Sequence, residues 1–167
     1  GSHLLCFGES FLQGFEGLSW DYATDRERAI RVNSSQMEAI RVADDLAGEI
    51  RTPEDKLEAI YNYIIENIDY DYSKISQLDK QYVPDVENTY ALKKGICYDY
   101  SALFASMLRS QGIPAKLVKG YSDNVDGYHA WNEVYINEEW ITIDTTLDAV
   151  LGSIGEETKM EKNKNEY

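Results

Sequence analysis

The sequence has little of what metal sites, disulfide scaffolds and nucleic-acid binding require. Its cysteines, Cys6 and Cys97, are too few for a disulfide framework, and its histidines, His3 and His129, cannot form a zinc site without carboxylates. Sixteen lysines and arginines face 30 aspartates and glutamates, and the net charge of −14 would repel a phosphate backbone. No window approaches the roughly 18 consecutive apolar residues of a membrane span. We therefore expect no metal, no cofactor, no nucleic-acid partner and no membrane span.

The chain is nevertheless large enough for one domain, since its 167 residues are 43% hydrophobic. Residues 1–3 (Gly-Ser-His) are typical of a cleaved purification tag, and a natural N-terminal signal could have been trimmed with the original start. Apolar residues interrupted by glycines predict an irregular arm or a short helix packed on the body over 4–33, and the main domain is expected over 34–150. The charged segment 151–167 predicts a frayed or loosely docked tail.

Apolar residues at helical spacing predict three helices. The first covers about 35–50 and would be capped by Ser34 or Ser35. The second would begin at Pro53, because proline suits the first position of a helix, and its apolar stripe ends near residue 68. The third covers about 97–110 and is apolar nearly all round, which predicts a central buried helix.

The second half of the chain changes to the alternating pattern of strands. Three strands are predicted at 116–121, 129–136 and 140–144, with a turn at 137–139 between the last two. The segment 69–94 has neither period and predicts a loop. Helices followed by an antiparallel sheet indicate the α+β class.

The predicted elements bring three chemically useful side chains together. Cys97 would open the buried helix, where the helix dipole and unpaired N–H groups favour a thiolate and can stabilise an oxyanion. His129 would start one strand and Asp144 would end the next, so antiparallel pairing would place them about 4.5–5.5 Å apart. A cysteine nucleophile, a histidine base and an orienting carboxylate form an arrangement suited to acyl transfer. Taken singly, a cysteine or a histidine is more often structural.

Three motifs in this region resemble those of the transglutaminase-like superfamily. They are GICYDYSAL at 95–103 followed by QGIPA at 111–115, YHAWNEVY at 128–135, and WITIDTT at 140–146. The resemblance implies a papain-like cysteine protease fold, with N-terminal helices and an antiparallel sheet packed on the helix that carries the cysteine. It also implies a catalytic domain over 34–150, a Cys97–His129–Asp144 triad and a thioester intermediate on Cys97.

The sequence departs from the family pattern in ways that limit the inference. Thr145 stands where the family often has proline after the aspartate, which would change local rigidity more than chemistry. No calcium loop is recognisable, so calcium dependence is not carried over. The family's second oxyanion donor lies upstream of the cysteine, and Tyr70 and Tyr72 are the candidates here.

The sequence therefore predicts a thiol enzyme acting on amide or peptide bonds of a peptide or protein substrate. Water would resolve the thioester in a protease, amidase or deamidase, whereas an amine acceptor would make the enzyme a transglutaminase; hydrolysis is favoured for a domain this small. The alternative is a catalytically degenerate module that binds a peptide or a cell-wall glycan in the same cleft. Low cysteine content favours a bacterial origin, and the location, including an extracytoplasmic one, stays open together with the oligomeric state.

Overall fold

The computed structural model describes residues 38–167. Its helices are α1 (Glu38–Ala47), α2 (Pro53–Asn67), α3 (Val86–Leu92), α4 (Cys97–Ser110) and α5 (Thr145–Ser153). Its strands are β1 (Asp69–Tyr70), β2 (Lys94–Gly95), β3 (Ala115–Ser122), β4 (Val125–Ile136), β5 (Glu139–Ile143) and β6 (Glu161–Lys162). The predicted arm over 4–33 and the helix cap at Ser34 or Ser35 lie outside the described residues.

Helix α4 is the centre of the molecule, and its observed bounds agree with the prediction. Eleven of its 14 residues are buried, including Leu103, Phe104, Met107 and Leu108. These side chains pack with α1 and α2 on one side and with the sheet on the other. Burying each large apolar side chain contributes about 1.5–3 kcal/mol, so this helix holds the two layers together. The observed architecture confirms the predicted α+β class.

Helices α1 and α2 form the outer layer. On α1 the alanines at 39, 43 and 47 are buried, so this helix lies close against its neighbours. Helix α2 begins as its sequence predicts, with Pro53 in the first turn and the Thr52 side chain accepting a hydrogen bond from the Asp55 N–H. No helix among residues 38–167 combines the length and the apolar character that a membrane-spanning segment needs.

The main sheet is antiparallel, with the strand order β3-β4-β5-β6. A two-residue turn joins β4 to β5, and both of its residues, Asn137 and Glu138, have positive φ, which matches the right-handed twist of a hairpin. Strand β4 starts at Val125 rather than at residue 129, so His129 lies inside the strand. The β4–β5 ladder ends at the Asn132–Ile143 pair, and residue 144 belongs to the start of α5.

The prediction of a loop over 69–94 was wrong in part. Strands β1 and β2 pair in parallel, with Asp69 opposite Lys94 and Tyr70 opposite Gly95. Helix α3 lies between them and is capped by the Asp85 side chain, which accepts from the Asn88 N–H. Two-residue strands are too short to produce an alternating pattern, so the sequence carried no signal for them.

The last segment of the chain is docked more closely than its composition predicts. Strand β6 adds to the edge of the sheet, with Thr142 opposite Lys162 and Ile143 opposite Glu161. The Lys162 ammonium also pairs with the buried carboxylate of Asp148 on α5. The segment is therefore held by backbone pairing and ion pairing, which do not need the apolar residues it lacks. The division at 150 into a domain and a tail stays a prediction.

Candidate active site

Cys97 is the first residue of α4, at the end of the helix where backbone N–H groups point outward. Its side chain is a thiol and is fully buried. Gly95 precedes the helix cap and cannot be replaced by a larger residue without a shift, because a Cβ there would lie 2.5 Å from the Cβ of Asp99. Gly95 thus allows the chain to enter the helix directly over the Asp99 side chain.

Asp99 fixes this first turn through contacts that the sequence did not predict. Its Oδ2 accepts hydrogen bonds from the Ile96 N–H at 2.9 Å and from the Lys74 ammonium at 2.9 Å, and the Tyr82 hydroxyl donates to Oδ1. Burial, together with the Asp99 charge, raises the pKa of Tyr82, so this hydroxyl stays a donor. Asp99 therefore attaches the 71–85 segment to the turn that carries Cys97, beyond favouring the helix N-terminus.

We expect Asp99→Ala to destabilise the fold, because Lys74 and Tyr82 would lose their common buried acceptor. The free energy of unfolding should fall by about 2–3 kcal/mol, as is usual when one partner of a buried, hydrogen-bonded ion pair is removed. Urea unfolding monitored by circular dichroism measures the change. Asp45→Ala, on the exposed face of α1, is the control and should stay within about 0.5 kcal/mol of the parent. An Asp99→Ala protein as stable as this control would contradict the anchoring role.

His129 and Asp144 are in direct contact. His129 is on β4 opposite Gly120, and Asp144 is the residue that caps α5. The His129 Nε2 lies 2.7 Å from Asp144 Oδ2, and both side chains are fully buried. The predicted proximity of the two residues is thus observed, although it arises where the ladder has ended and not across a ladder pair. Their catalytic roles stay a prediction.

The environment of Asp144 keeps its carboxylate ionised. Burial alone would raise the pKa, but the charge and hydrogen bond of His129, the Leu147 N–H on Oδ1 and the Tyr167 hydroxyl on Oδ2 together lower it. A lowered folded-state pKa means that this carboxylate stabilises the fold above the ordinary value of 3.8. That stabilisation is lost as the pH falls through the folded-state pKa.

The Cys97 thiol and the His129–Asp144 pair share one apolar neighbourhood. Ala130, next to His129, belongs to the same buried cluster as Ile96 and Cys97, and Leu147, whose N–H bonds Asp144, packs against it. The start of α4, the middle of β4 and the start of α5 therefore converge. Thr145 occupies the first helical position after Asp144, where proline would also fit.

Other residues of the motifs at 128–135 and 140–146 lie in different places. Trp131 is buried with its ring 6.0 Å from that of His129, whereas Trp140 lies beside Tyr135 and under the Lys116 ammonium. The Asn132 amide nitrogen donates to the carbonyls of Ser101 and Lys116, and the Glu133 carboxylate pairs with Lys116. The buried Asn132 Oδ1 has no hydrogen-bond partner among the described residues.

The two tyrosines considered as oxyanion donors also differ in their surroundings. Tyr70 pairs with Gly95 and packs against the cluster that contains Cys97, while 65% of the Tyr72 side chain is exposed. Tyr70 is therefore the better placed of the two candidates.

Within residues 38–167, no group of three or more His, Cys, Asp or Glu side chains is arranged to bind a metal ion.

Known proteins resemble this chain across the same region. Residues 40–145 match the family model of the transglutaminase-like superfamily. The human protein named kyphoscoliosis peptidase is 32% identical over 118 residues, which cover 63% of this chain and 17% of the human protein. The chain thus corresponds to a small part of that relative.

Solved structures share the fold. A structure described as a TGase aligns over 93% of this chain and 39% of its own, with a TM-score of 0.53 and 20% identity. The periplasmic domain of TgpA from Pseudomonas aeruginosa aligns over 78% of this chain and 51% of its own, with a TM-score of 0.54 and 19% identity. The family model covers most of the chain and contains the cysteine and histidine motifs that the sequence suggested. The chain belongs to the transglutaminase-like superfamily.

Proposed function

We propose that the protein is a thiol enzyme that cleaves or transfers acyl groups at amide or peptide bonds through Cys97, His129 and Asp144. The observation that carries the proposal is the 2.7 Å contact between His129 Nε2 and Asp144 Oδ2, buried beside the helix N-terminus that holds Cys97. The carboxylate fixes the imidazole with its proton on Nε2, which leaves Nδ1 to exchange a proton with the thiol. Serine enzymes divide the roles of the two ring nitrogens in the same way but exchange the atoms, with Nδ1 on the carboxylate and Nε2 on the nucleophile.

Each step then follows from ordinary acyl-transfer chemistry. His129 Nδ1 takes the Sγ proton, and the thiolate attacks the substrate carbonyl carbon. The oxyanion is stabilised by N–H groups of the first turn of α4, with the Tyr70 hydroxyl as the candidate second donor. The imidazolium returns its proton to the leaving nitrogen as the C–N bond breaks, which leaves a thioester on Cys97. Water or an amine, deprotonated by His129, then attacks the thioester and restores the thiol.

Access to the sulfur requires local movement, because the Cys97 side chain has no exposed surface. The cluster around it extends to the protein surface through side chains that are only partly buried, including Tyr70, Tyr82, Leu117 and Tyr128. A substrate would have to displace some of these side chains. Exclusion of water from the occupied site would decide between hydrolysis and transfer to an amine, and we propose hydrolysis as the main reaction.

The reaction can be identified with casein as the acyl donor, with and without the fluorescent amine dansylcadaverine. Hydrolysis of peptide bonds should produce new amino termini, deamidation should release ammonia, and transamidation should attach the fluorophore. The proposal expects one of these products from the parent protein and none from Cys97→Ser. Absence of all three, with the parent folded, would contradict an enzyme acting on protein amides.

A second candidate function is a binding module that keeps the fold without turnover. The complete burial of the Cys97 thiol is the observation that favours it. Such a module would bind a peptide or a cell-wall glycan equally well in the parent and in Cys97→Ser, and neither would form products. An extracytoplasmic bacterial location is part of our proposal, and it is supported by likeness of fold to one periplasmic domain.

A further inference from the structure

Tyr167 donates a hydrogen bond to the carboxylate of the candidate catalytic pair. Its hydroxyl lies 2.9 Å from Asp144 Oδ2, the same oxygen that lies 2.7 Å from His129 Nε2. Burial, followed by the charge of Asp144, raises the pKa of Tyr167, so the hydroxyl remains protonated and acts as a donor. Asp144 therefore receives donors from three elements: β4, the first turn of α5 and the end of the described chain.

The ring of Tyr167 also packs against the protein, next to the candidate catalytic pair. It packs edge-on against Trp131, with ring centroids 5.2 Å apart, and the Trp131 ring in turn lies 6.0 Å from that of His129. The tyrosine thus contacts both the carboxylate and the aromatic side chain beside the imidazole. A phenylalanine at this position could keep the ring contact and lose only the hydroxyl.

The segment before Tyr167 is fixed to the body at several points. The Glu166 carbonyl accepts from the Asp123 N–H at 2.8 Å, and the Glu166 carboxylate accepts from the Asn124 amide at 3.0 Å. Upstream, β6 pairs with β5, and Lys162 pairs with Asp148. These contacts attach the segment to the β3–β4 turn, to the sheet edge and to α5. Together they fix the position of the backbone that carries Tyr167.

We propose that Tyr167 is a positioning residue, which orients the Asp144 carboxylate so that Oδ2 faces His129. Without the hydroxyl, the Asp144 carboxylate would still accept from the Leu147 N–H at Oδ1, but it would rotate more freely about its Cβ–Cγ bond. The inference rests on the proposed function, since orientation of Asp144 is useful only if the imidazole works as a base. It does not require Tyr167 to touch the substrate.

Three variants separate the hydroxyl from the ring. Tyr167→Phe removes the hydroxyl, Tyr167→Ala removes the ring as well, and Tyr135→Phe, on the far part of β4 beside Trp140, is the matched control. We expect kcat of Tyr167→Phe to fall roughly 3–30-fold with KM within about twofold of the parent, because orientation affects the reacting groups more than binding. Tyr135→Phe should match the parent. A parent-like kcat in Tyr167→Phe with a low one in Tyr167→Ala would show packing only and would overturn the inference.

A measurement independent of turnover distinguishes this inference from the proposed function. The imidazole N–H proton of His129, assigned by its absence in His129→Ala, should give a downfield NMR resonance in the parent. We expect this resonance to shift in Tyr167→Phe and to stay unchanged in Tyr135→Phe, because only the former changes the hydrogen bonds on Oδ2. An unchanged resonance in Tyr167→Phe would overturn the positioning role even in an active enzyme. If the parent formed no product and the resonance still shifted in Tyr167→Phe, the result would support the role of Tyr167 and count against the proposed function.

Discussion

Cys97→Ala is expected to eliminate turnover, with a loss on the order of 10⁴–10⁶ in kcat, because no other group in the candidate site can form the acyl intermediate. The measurement is product formation from casein under the conditions in which the parent is active. Retention of more than a few per cent of the parent rate would contradict a covalent mechanism through Cys97.

The fold of this variant should survive, and two controls separate chemistry from packing. Cys97 is fully buried among apolar side chains, so its removal should cost about 1 kcal/mol or slightly more of unfolding free energy. Cys97→Ser keeps the volume of the side chain and should be nearly as inactive as the alanine variant. Cys6→Ala should leave turnover close to that of the parent.

Asp144→Asn is expected to lower kcat by a factor on the order of 10–10³ while KM changes little. The amide can still cap α5 by accepting from the Leu147 N–H, but it carries no charge to stabilise an imidazolium at His129. Thiol enzymes are expected to lose less here than serine enzymes, because a thiolate already formed needs less help from the base. Steady-state kinetics on the same substrate measure both constants.

Asp85→Asn is the matched control for this variant. Asp85 caps α3 by accepting from the Asn88 N–H, as Asp144 caps α5, but among residues 38–167 no imidazole bonds to it. Its replacement should therefore leave kcat close to the parent value. If Asp144→Asn turned over like Asp85→Asn, Asp144 would be a helix cap and not part of the reaction. Glu133 is already paired with Lys116, whereas the buried Asn132 Oδ1 has no hydrogen-bond partner among the described residues, so Asn132 would be the first substitute acceptor to test.

The sequence predicted those parts of the structure that depend on local patterns. Helix α4 was located correctly because its apolar run is long and is followed by Gly112, which adopts positive φ beyond the helix. The hairpin between β4 and β5 was located because alternation on both sides brackets a short polar turn. These two elements are enough to bring Cys97, His129 and Asp144 to the same region.

The contacts that surround these residues depend on long-range pairing and left no local signal. Lys74 and Tyr82 meet Asp99 from a segment that shows no periodicity, and the pairing partner of β1 lies 25 residues further along the chain. Tyr167 lies in a charged stretch whose composition resembles a tail, yet its hydroxyl reaches Asp144. No local pattern indicates which nitrogen of His129 contacts Asp144, and the structure shows that it is Nε2.

The central claim is that Cys97 becomes acylated with the help of the His129–Asp144 pair, and p-nitrophenyl acetate tests it directly. Intact-mass spectrometry after rapid quenching should show one acetyl group, assigned to Cys97 by peptide mapping, with one equivalent of p-nitrophenolate released in a burst. His129→Ala and Asp144→Asn should acylate much more slowly than the parent, and Cys97→Ser should show no burst. Acetylation elsewhere in the chain, or acylation of Cys97 at the same rate in the parent and in His129→Ala, would contradict the account.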